Sequence, residues 1–275
     1  MEYISIRNLQ FKNMEITVSL NKKEIFAVYS RDPKKSEEFF LLINGINPNN
    51  GTCLYENKDI FDNEDFFKQR IYLDFKETYF KTMNIKVIEE TLTNKYNISF
   101  NPKIFNTYVQ TMGIRMETIV DTDYIFTECG NSMINFAFFK ALNKPFVTIN
   151  NPTIYLQNIK ILELVIQSLT YKGNYEGIIL GLDKIKRFKD KLDRVLIFTE
   201  YETYVIIDPR KDSFLLIEDN IYLHDKLFRI NESNMVICLN KYSKEEIKKF
   251  NNFKIKHEKF SFYELEDYFG DYDGK

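Results

Sequence analysis

Residues 24–51, EIFAVYSRDPKKSEEFFLLINGINPNNG, contain a strand, a connection and a helix in close succession. Residues 25–29 (IFAVY) are apolar throughout, which predicts a strand buried on both faces. Residues 36–44 predict a helix, because their apolar side chains recur at helical spacing. A Pro/Asn/Gly turn follows at 48–51. The order of strand, loop and helix makes the connection at 30–38 the first place to look for a functional site.

The connection 30–38 (SRDPKKSEE) has the frame of a phosphate-binding loop without its residues. The motif G-x-x-x-x-G-K-[ST] needs glycines so that backbone N–H groups wrap the phosphates, a Lys for their oxygens, and Ser or Thr for Mg²⁺. Here Pro33 removes one N–H donor, and Glu37 and Glu38 place negative charge at the helix N-terminus. Aligned without a gap, the degenerate loop comprises Ser30, Arg31, Asp32, Pro33, Lys34, Lys35, Ser36 and Glu37.

Two other interpretations of this loop stay open. A shift by one residue makes Lys35 and Ser36 a genuine Lys-Ser pair, although the flanking glycines are still missing. The segment is otherwise an ordinary strand, turn and helix of some other α/β protein, because a motif without its key residues is weak evidence.

Composition excludes several function classes. The chain has 275 residues, of which 44% are hydrophobic, so it can bury a sizeable core. A net charge of −2 with interspersed signs argues against nucleic-acid binding. The three distant cysteines predict neither a disulfide framework nor a metal site and favour a reducing cytoplasm. The charged start predicts no signal peptide, and no apolar run reaches the length of a membrane span, so any membrane association is expected through a partner.

Strands and helices alternate along most of the chain, which predicts a mostly parallel sheet with helices on both faces. After Asp208, shorter elements predict a small α/β appendage over 209–275. Further strands are predicted at 2–6, 15–19, 52–55, 71–73, 146–150, 177–180, 194–198, 204–207, 214–217, 236–239 and 253–256. Further helices are predicted at 64–70, 86–113 with a continuation at 116–120, 130–142, 154–171, 183–192, 243–251 and 262–269.

Five stretches, taken in order, resemble the ATP-binding subunit of an ABC transporter. They are MEYISIRNLQF with the Lys-Glu-Ile turn that enters the loop, NGINPNNGTCLYENKDI at 44–60, ECGNSMINFAFFKALNKPFVTINNPT at 128–153, LDRVLIF at 192–198 and YELEDYF at 263–269. The resemblance implies an α/β, ABC-type P-loop NTPase-like fold with a mostly parallel sheet, antiparallel N-terminal strands and a helical subdomain at about 76–142. This domain would span 1–208 and precede the small C-terminal α/β appendage.

At each catalytic position that the resemblance implies, this sequence has a different residue from the one typical of the family. The Walker B aspartate falls on Asn150 and the general-base glutamate on Asn151, whose amide cannot accept a proton at neutral pH. The glutamine of the Q-loop falls on or near Phe75, and the switch histidine falls near Asp183. The aromatic residue that stacks on adenine would fall near Phe11, in a shortened loop.

The signature motif that precedes a helix in this family is also degenerate. Its positions fall on Glu128, Cys129, Gly130, Asn131 and Ser132. Gly130 is either an ordinary helix start or a place where N–H groups point at a phosphate held by another subunit. The two histidines, His224 and His257, are far apart and lack metal-ligand spacing, so no metal site is predicted.

The resemblance therefore implies a degenerate, catalytically inactive ATP-binding-type subunit, a partner of an active ATP-binding subunit and a membrane subunit. Its place would be cytoplasmic, peripheral to the inner face of the cell membrane, with peptide export or self-immunity as the expected setting. No cofactor is expected, and ATP with Mg²⁺ would bind only if the degenerate site still holds nucleotide. Two alternatives stay open: a free-standing regulatory or immunity binding protein, and a weak nucleotide binder or enzyme that uses the remodelled cleft.

Overall fold

The computed structural model describes most of the chain. The described residues are 2–47, 50–77, 79, 85–95, 97–114, 128–173, 175–218, 226–231, 233–252 and 258–269. The predicted segments at 116–120 and 253–256, and both histidines, lie outside these ranges.

The central sheet has the strand order β10-β9-β3-β8-β7-β6. All of its strands run parallel except β10, which pairs antiparallel with β9. The continuous apolar runs of the sequence form its buried strands, as expected for a sheet covered on both faces. The strands are β3 (Ile25–Ser30), β6 (Arg70–Asp74), β7 (Phe146–Asn150), β8 (Gly177–Gly181), β9 (Arg194–Phe198) and β10 (Tyr204–Ile207).

A second sheet is antiparallel, with the order β2-β1-β4-β5. Its strands are β1 (Glu2–Phe11), β2 (Met14–Asn21), β4 (Asn50–Tyr55) and β5 (Lys58–Asp59). Strand β1 extends beyond the predicted 2–6 as far as Phe11. The Phe11 ring is buried and packs against Phe39 and Phe198, so the expectation that it lies in a loop and stacks on adenine is wrong.

Eight α-helices occur in the described ranges. They are α1 (Pro33–Ile43), α2 (Glu64–Gln69), α3 (Ile85–Glu90), α4 (Pro102–Thr111), α5 (Glu128–Leu142), α6 (Ile159–Thr170), α7 (Lys244–Asn252) and α8 (Leu265–Phe269). One apolar cluster joins α1 and the antiparallel sheet to one face of the central sheet, and a larger cluster joins α4, α5 and α6 to the other face. None of these helices has the length and apolar character needed to span a bilayer.

The third sheet, with the order β12-β13-β11-β14, is built from strands that follow Asp208. These are β11 (Ser213–Glu218), β12 (Lys226–Arg229), β13 (Asn234–Cys238) and β14 (Glu258–Ser261). Its Phe214, Phe228 and Phe260 join the larger apolar cluster, which also contains Tyr29 of β3. The domain boundary at 208 and the helical subdomain at 76–142 stay predictions.

Several predicted helices differ from those observed. The predicted helix 86–113 is interrupted, because a π-helical turn (Thr91–Lys95) ends α3 and Asn101 starts α4 by capping it. The predicted helix 154–171 begins only at Ile159, where the Asn158 side chain accepts from two helix N–H groups. The predicted helix 183–192 is a single 3-10 turn, Ile185–Phe188, and Asp190 has a φ of 59° just after it.

Candidate functional site

Residues from distant parts of the sequence meet at the carboxyl edge of the central sheet. Ser30, Asp74, Asn150 and Gly181 are the last residues of β3, β6, β7 and β8. In open α/β sheets, ligands bind outside the carboxyl ends of the strands. This edge is therefore the candidate functional site.

The connection between β3 and α1 consists of only Arg31 and Asp32. The helix begins at Pro33 and not at Ser36 as predicted, so residues 33–38 of the predicted nine-residue loop are helical. The physical reason lies in the Asp-Pro pair, because Asp is a preferred N-cap residue and Pro is preorganised for the first helical position. Ser36 is buried, whereas Lys34 and Glu37 are exposed on the helix.

The N-terminus of α1 is capped by the chain's own carboxylate. The Asp32 side chain accepts a hydrogen bond of 3.0 Å from the Lys34 N–H, and its carbonyl oxygen accepts one of 3.1 Å from the Lys35 N–H. Ser30 Oγ in turn accepts from the Asp32 N–H at 3.1 Å. The Lys35 ammonium donates to the carbonyl of Thr199 at 3.1 Å, beyond the end of β9. First-turn N–H groups that bind anions in other proteins are thus hydrogen-bonded within this chain.

A buried carboxylate–amide cluster lies at the ends of β6 and β7. Asn150 Nδ2 donates to Asp74 Oδ2 at 2.7 Å, and Asn151 Nδ2 donates to Asp74 Oδ1 and Oδ2 at 2.9 and 3.2 Å. All three residues are buried. Asn150 and Asn151, predicted at the Walker B aspartate and general-base positions, therefore face a carboxylate that sequence reasoning missed. A charged residue at the end of a buried strand was a signal for it.

Backbone geometry supports this cluster. The Phe75 N–H donates to the Asn150 carbonyl at 3.0 Å, and the Asn151 N–H donates to the Gly181 carbonyl at 3.0 Å. A Cβ atom at Gly181 would overlap Asn150 Oδ1 and the Phe40 ring, so only glycine permits this approach. The Phe75 side chain, on or near which the Q-loop glutamine position was predicted, is fully buried in the apolar core.

Asp183, near which the switch histidine position was predicted, is hydrogen-bonded to the turn that follows β7. Thr153 Oγ1 donates to its two carboxylate oxygens at 2.8 and 3.0 Å, and Arg187 Nη1 lies 3.8 Å away. Burial raises the pKa of Asp183, while the Thr153 hydrogen bonds and the Arg187 charge oppose that rise. Arg187 also donates to the Thr153 carbonyl at 2.5 Å, so Asp183, Thr153 and Arg187 each contact the other two.

The residues predicted at the signature positions open helix α5, and several of them are buried. Gly130, Asn131 and Ser132 are buried, Cys129 is partly buried and Glu128 is exposed. Asn131 and Asn135 each donate to the Glu77 carbonyl at 2.7 Å, and Ser132 Oγ donates to the Ile154 carbonyl at 3.0 Å. Burial also raises the pKa of the Cys129 thiol. Sequence reasoning missed Asn135, although its i,i+4 spacing from Asn131 places both on one helix face.

No known family model matches the sequence, and no curated protein does. Solved structures are similar. One, a cobalt transport ATP-binding protein (CbiO-2), has 12% identity over 86% of this chain and 91% of that chain, with a TM-score of 0.60. Another, CbiO1 from Clostridium perfringens, part of the ABC transporter complex CbiONQ, has 15% identity over 77% and 90%, with a TM-score of 0.57.

A third similar structure is the ATP-binding subunit of an ABC transporter. It has 13% identity, covers 71% of this chain and 85% of that chain, and has a TM-score of 0.57. Identities this low establish the fold alone. The predicted fold is thereby confirmed: this chain has the fold of the ATP-binding subunits of ABC transporters.

Proposed function

We propose that this chain is a degenerate, catalytically inactive ATP-binding-type subunit, a structural or regulatory partner of an active ATP-binding subunit and a membrane subunit. The observation that carries the proposal concerns hydrogen bonds at the carboxyl edge of the sheet. Polar groups at this edge are hydrogen-bonded to one another. Asp32 caps the helix that would hold phosphate, and Asp74 accepts from the asparagines at the catalytic positions. These groups satisfy one another without a ligand.

The residues at the phosphate position do not fit a triphosphate. A P-loop wraps phosphates with consecutive N–H groups of a glycine-rich loop. Here the connection is two residues long, and the next residue, Pro33, has no N–H. The Asp32 carboxylate, bonded to the Lys34 N–H, would also repel a phosphate placed beside it.

The residues at the magnesium and base positions do not fit hydrolysis either. Two amides replace the carboxylates that would hold a metal-bound water and accept a proton. The buried carboxylate of Asp74 already accepts three hydrogen bonds from those amides. Within the described ranges, no group of three His, Cys, Asp or Glu residues lies close enough to hold a metal ion. We therefore derive no hydrolytic step for this chain.

Exposed apolar side chains near the site support a protein partner at this edge. Tyr79, whose hydroxyl accepts from the Asp74 N–H at 2.7 Å, is 39% exposed. Tyr155 and Ile159, in the turn after β7 and at the start of α6, are 36% and 70% exposed. Exposed apolar side chains around polar groups that are already hydrogen-bonded are typical of a surface that is buried against another subunit. We place the chain in the cytoplasm, held at the membrane through its partners, in a transporter for peptide export or self-immunity.

Titration calorimetry of the purified chain with ATP and Mg²⁺, from micromolar to millimolar, tests the loss of nucleotide binding. We expect no saturable heat and no rise in melting temperature, with an active ABC ATP-binding subunit as the positive control. Saturable, Mg²⁺-dependent binding would overturn the proposal in favour of a weak ATPase. Lys34, Lys35 and Ser36 would then be the first residues to replace.

Co-expression tests the partner half of the proposal. The proposal expects an ABC ATP-binding subunit and a membrane subunit to be encoded beside this chain. The chain is produced with these subunits, and the complex is isolated by size exclusion. We expect a stable complex whose ATPase rate changes when this chain is omitted. A chain that elutes alone, with the ATPase unaffected, would instead support a free-standing regulatory or immunity protein.

A further inference from the structure

Arg31, the first residue of the β3–α1 connection, is held by the C-terminal part of the chain. Its guanidinium lies 4.3 Å from the centre of the Phe269 ring, a cation–π geometry. It donates to the Arg229 carbonyl at 3.0 Å and forms an ion pair with Glu200. The second position of the predicted degenerate phosphate-binding loop is therefore in contact with Arg229, 198 positions away in the sequence.

Apolar and backbone contacts join the same two regions. The Tyr29 ring packs edge-on against Phe228 and Phe262, each at 6.2 Å between ring centres. Glu200 accepts from the Arg229 N–H at 2.9 Å, and its own N–H donates to the Leu227 carbonyl at 3.1 Å. The segment after β9 thus lies between Arg31 and strand β12 and is bonded to both.

The C-terminal helix α8 also contacts the turn near the switch position. Glu266 accepts a hydrogen bond from the Ile185 N–H, and Asp267 forms an ion pair with Lys186. The same short helix therefore contacts the β3–α1 connection through Phe269 and the 3-10 turn after β8 through its acidic residues. In this fold, both places lie at the edge where ligands bind.

We propose that residues 226–229 and 262–269 form a C-terminal clasp that takes the place of a ligand at this edge. The clasp fixes the β3–α1 connection through Arg31 and the turn after β8 through Ile185 and Lys186. The inference rests on the proposed function, because a subunit that binds no nucleotide needs another means of ordering these segments. The consequence is an edge that is ordered without nucleotide and is loosened when the clasp is released.

Hydrogen–deuterium exchange of the full chain tests the clasp. In Arg31→Ala, we expect exchange at 262–269 and at 31–35 to rise about tenfold, because local opening loses the ion pair and the ring contact. Exchange at β7 should not change. The matched control is Lys68→Ala, which removes an ion pair with Glu64 on the distant helix α2 and should leave the clasp protected.

A second variant guards against misfolding of the first. Phe269→Leu keeps an apolar side chain but removes the ring beneath Arg31, and it should raise exchange at 262–269 in the same direction by a smaller factor. The clasp is overturned if neither folded variant changes exchange at 262–269, or if exchange rises equally in β7.

Adding ATP and Mg²⁺ to the wild-type chain in the same experiment separates the clasp from the proposed function. We expect no change in exchange at 31–35. Protection there by nucleotide would overturn the inactive-subunit proposal and the clasp's role as a ligand substitute. The clasp contacts themselves would still be judged by the Arg31 and Phe269 variants.

Discussion

The N-terminus of α1 and the Asp74 cluster both place a hydrogen-bonded carboxylate at the carboxyl edge of the sheet, but the first is exposed and the second is buried. In both, a carboxylate accepts hydrogen bonds at the edge where the fold would place phosphate and magnesium. Asp32 is exposed, so water can replace either partner of its hydrogen bond. Asp74, Asn150 and Asn151 are buried, and a partner lost there is not replaced.

The two groups therefore contribute to stability to different degrees. At α1, the cap contributes modestly, and the connection to β3 is only two residues long. At the buried cluster, Asn150 and Asn151 join β7 to β6 through the Asp74 carboxylate. Substitutions in the buried cluster should therefore lower stability more than substitutions at the cap.

The largest expected effect is that of Asp74→Ala. It leaves the amides of Asn150 and Asn151 buried without their acceptor, which should lower the free energy of unfolding by about 2–4 kcal/mol. Urea unfolding followed by circular dichroism measures this change. Replacement of the exposed Asp62 by Ala is the matched control and should stay within about 0.5 kcal/mol. Equal effects at the two positions would contradict the structural role of the cluster.

Asp32→Ala should have an intermediate effect, about 1 kcal/mol, the usual consequence of losing an N-cap side chain. Asp32→Asn keeps the capping oxygen and should lie close to wild type. Urea unfolding of both variants measures the contribution of the cap to stability. ATP titrations of the same variants test whether nucleotide binds. Neither variant should bind ATP, because the two-residue connection is unchanged. Nucleotide binding by Asp32→Asn would show that charge alone had closed the site.

The sequence predicted the strand framework well because buried parallel strands are local apolar runs. Strands β7 and β9 have the predicted bounds, 146–150 and 194–198. The start of α1 was also encoded locally, in Asp32 followed by Pro33. The prediction instead used the apolar spacing within 36–44 and therefore placed the start of the helix three residues late.

Local sequence patterns could not predict the Asp74 cluster or the clasp. Asp74 is separated from Asn150 and Asn151 by 76 and 77 positions, and Arg31 is separated from Arg229 by 198. Periodicity reports which face a residue occupies, but not which distant side chain it meets. The predicted helix 183–192 was wrong for a related reason. Tertiary contacts with Glu266 and Asp267 hold the observed 3-10 turn at Ile185–Phe188.

The smallest expected effect tests Asp183, which lies between the two halves in burial. Burial raises its folded-state pKa above the unfolded value. Its contribution to stability is therefore fully present below the unfolded pKa and is lost as the pH rises through the folded pKa. Asp183→Asn can still accept from Thr153 but does not titrate. Urea midpoints compared at pH 7 and pH 5 should show that the variant gains less stability on acidification than wild type, by less than the Asp32→Ala effect. Identical pH slopes would mean that water reaches Asp183, and that it belongs with the exposed half of the site.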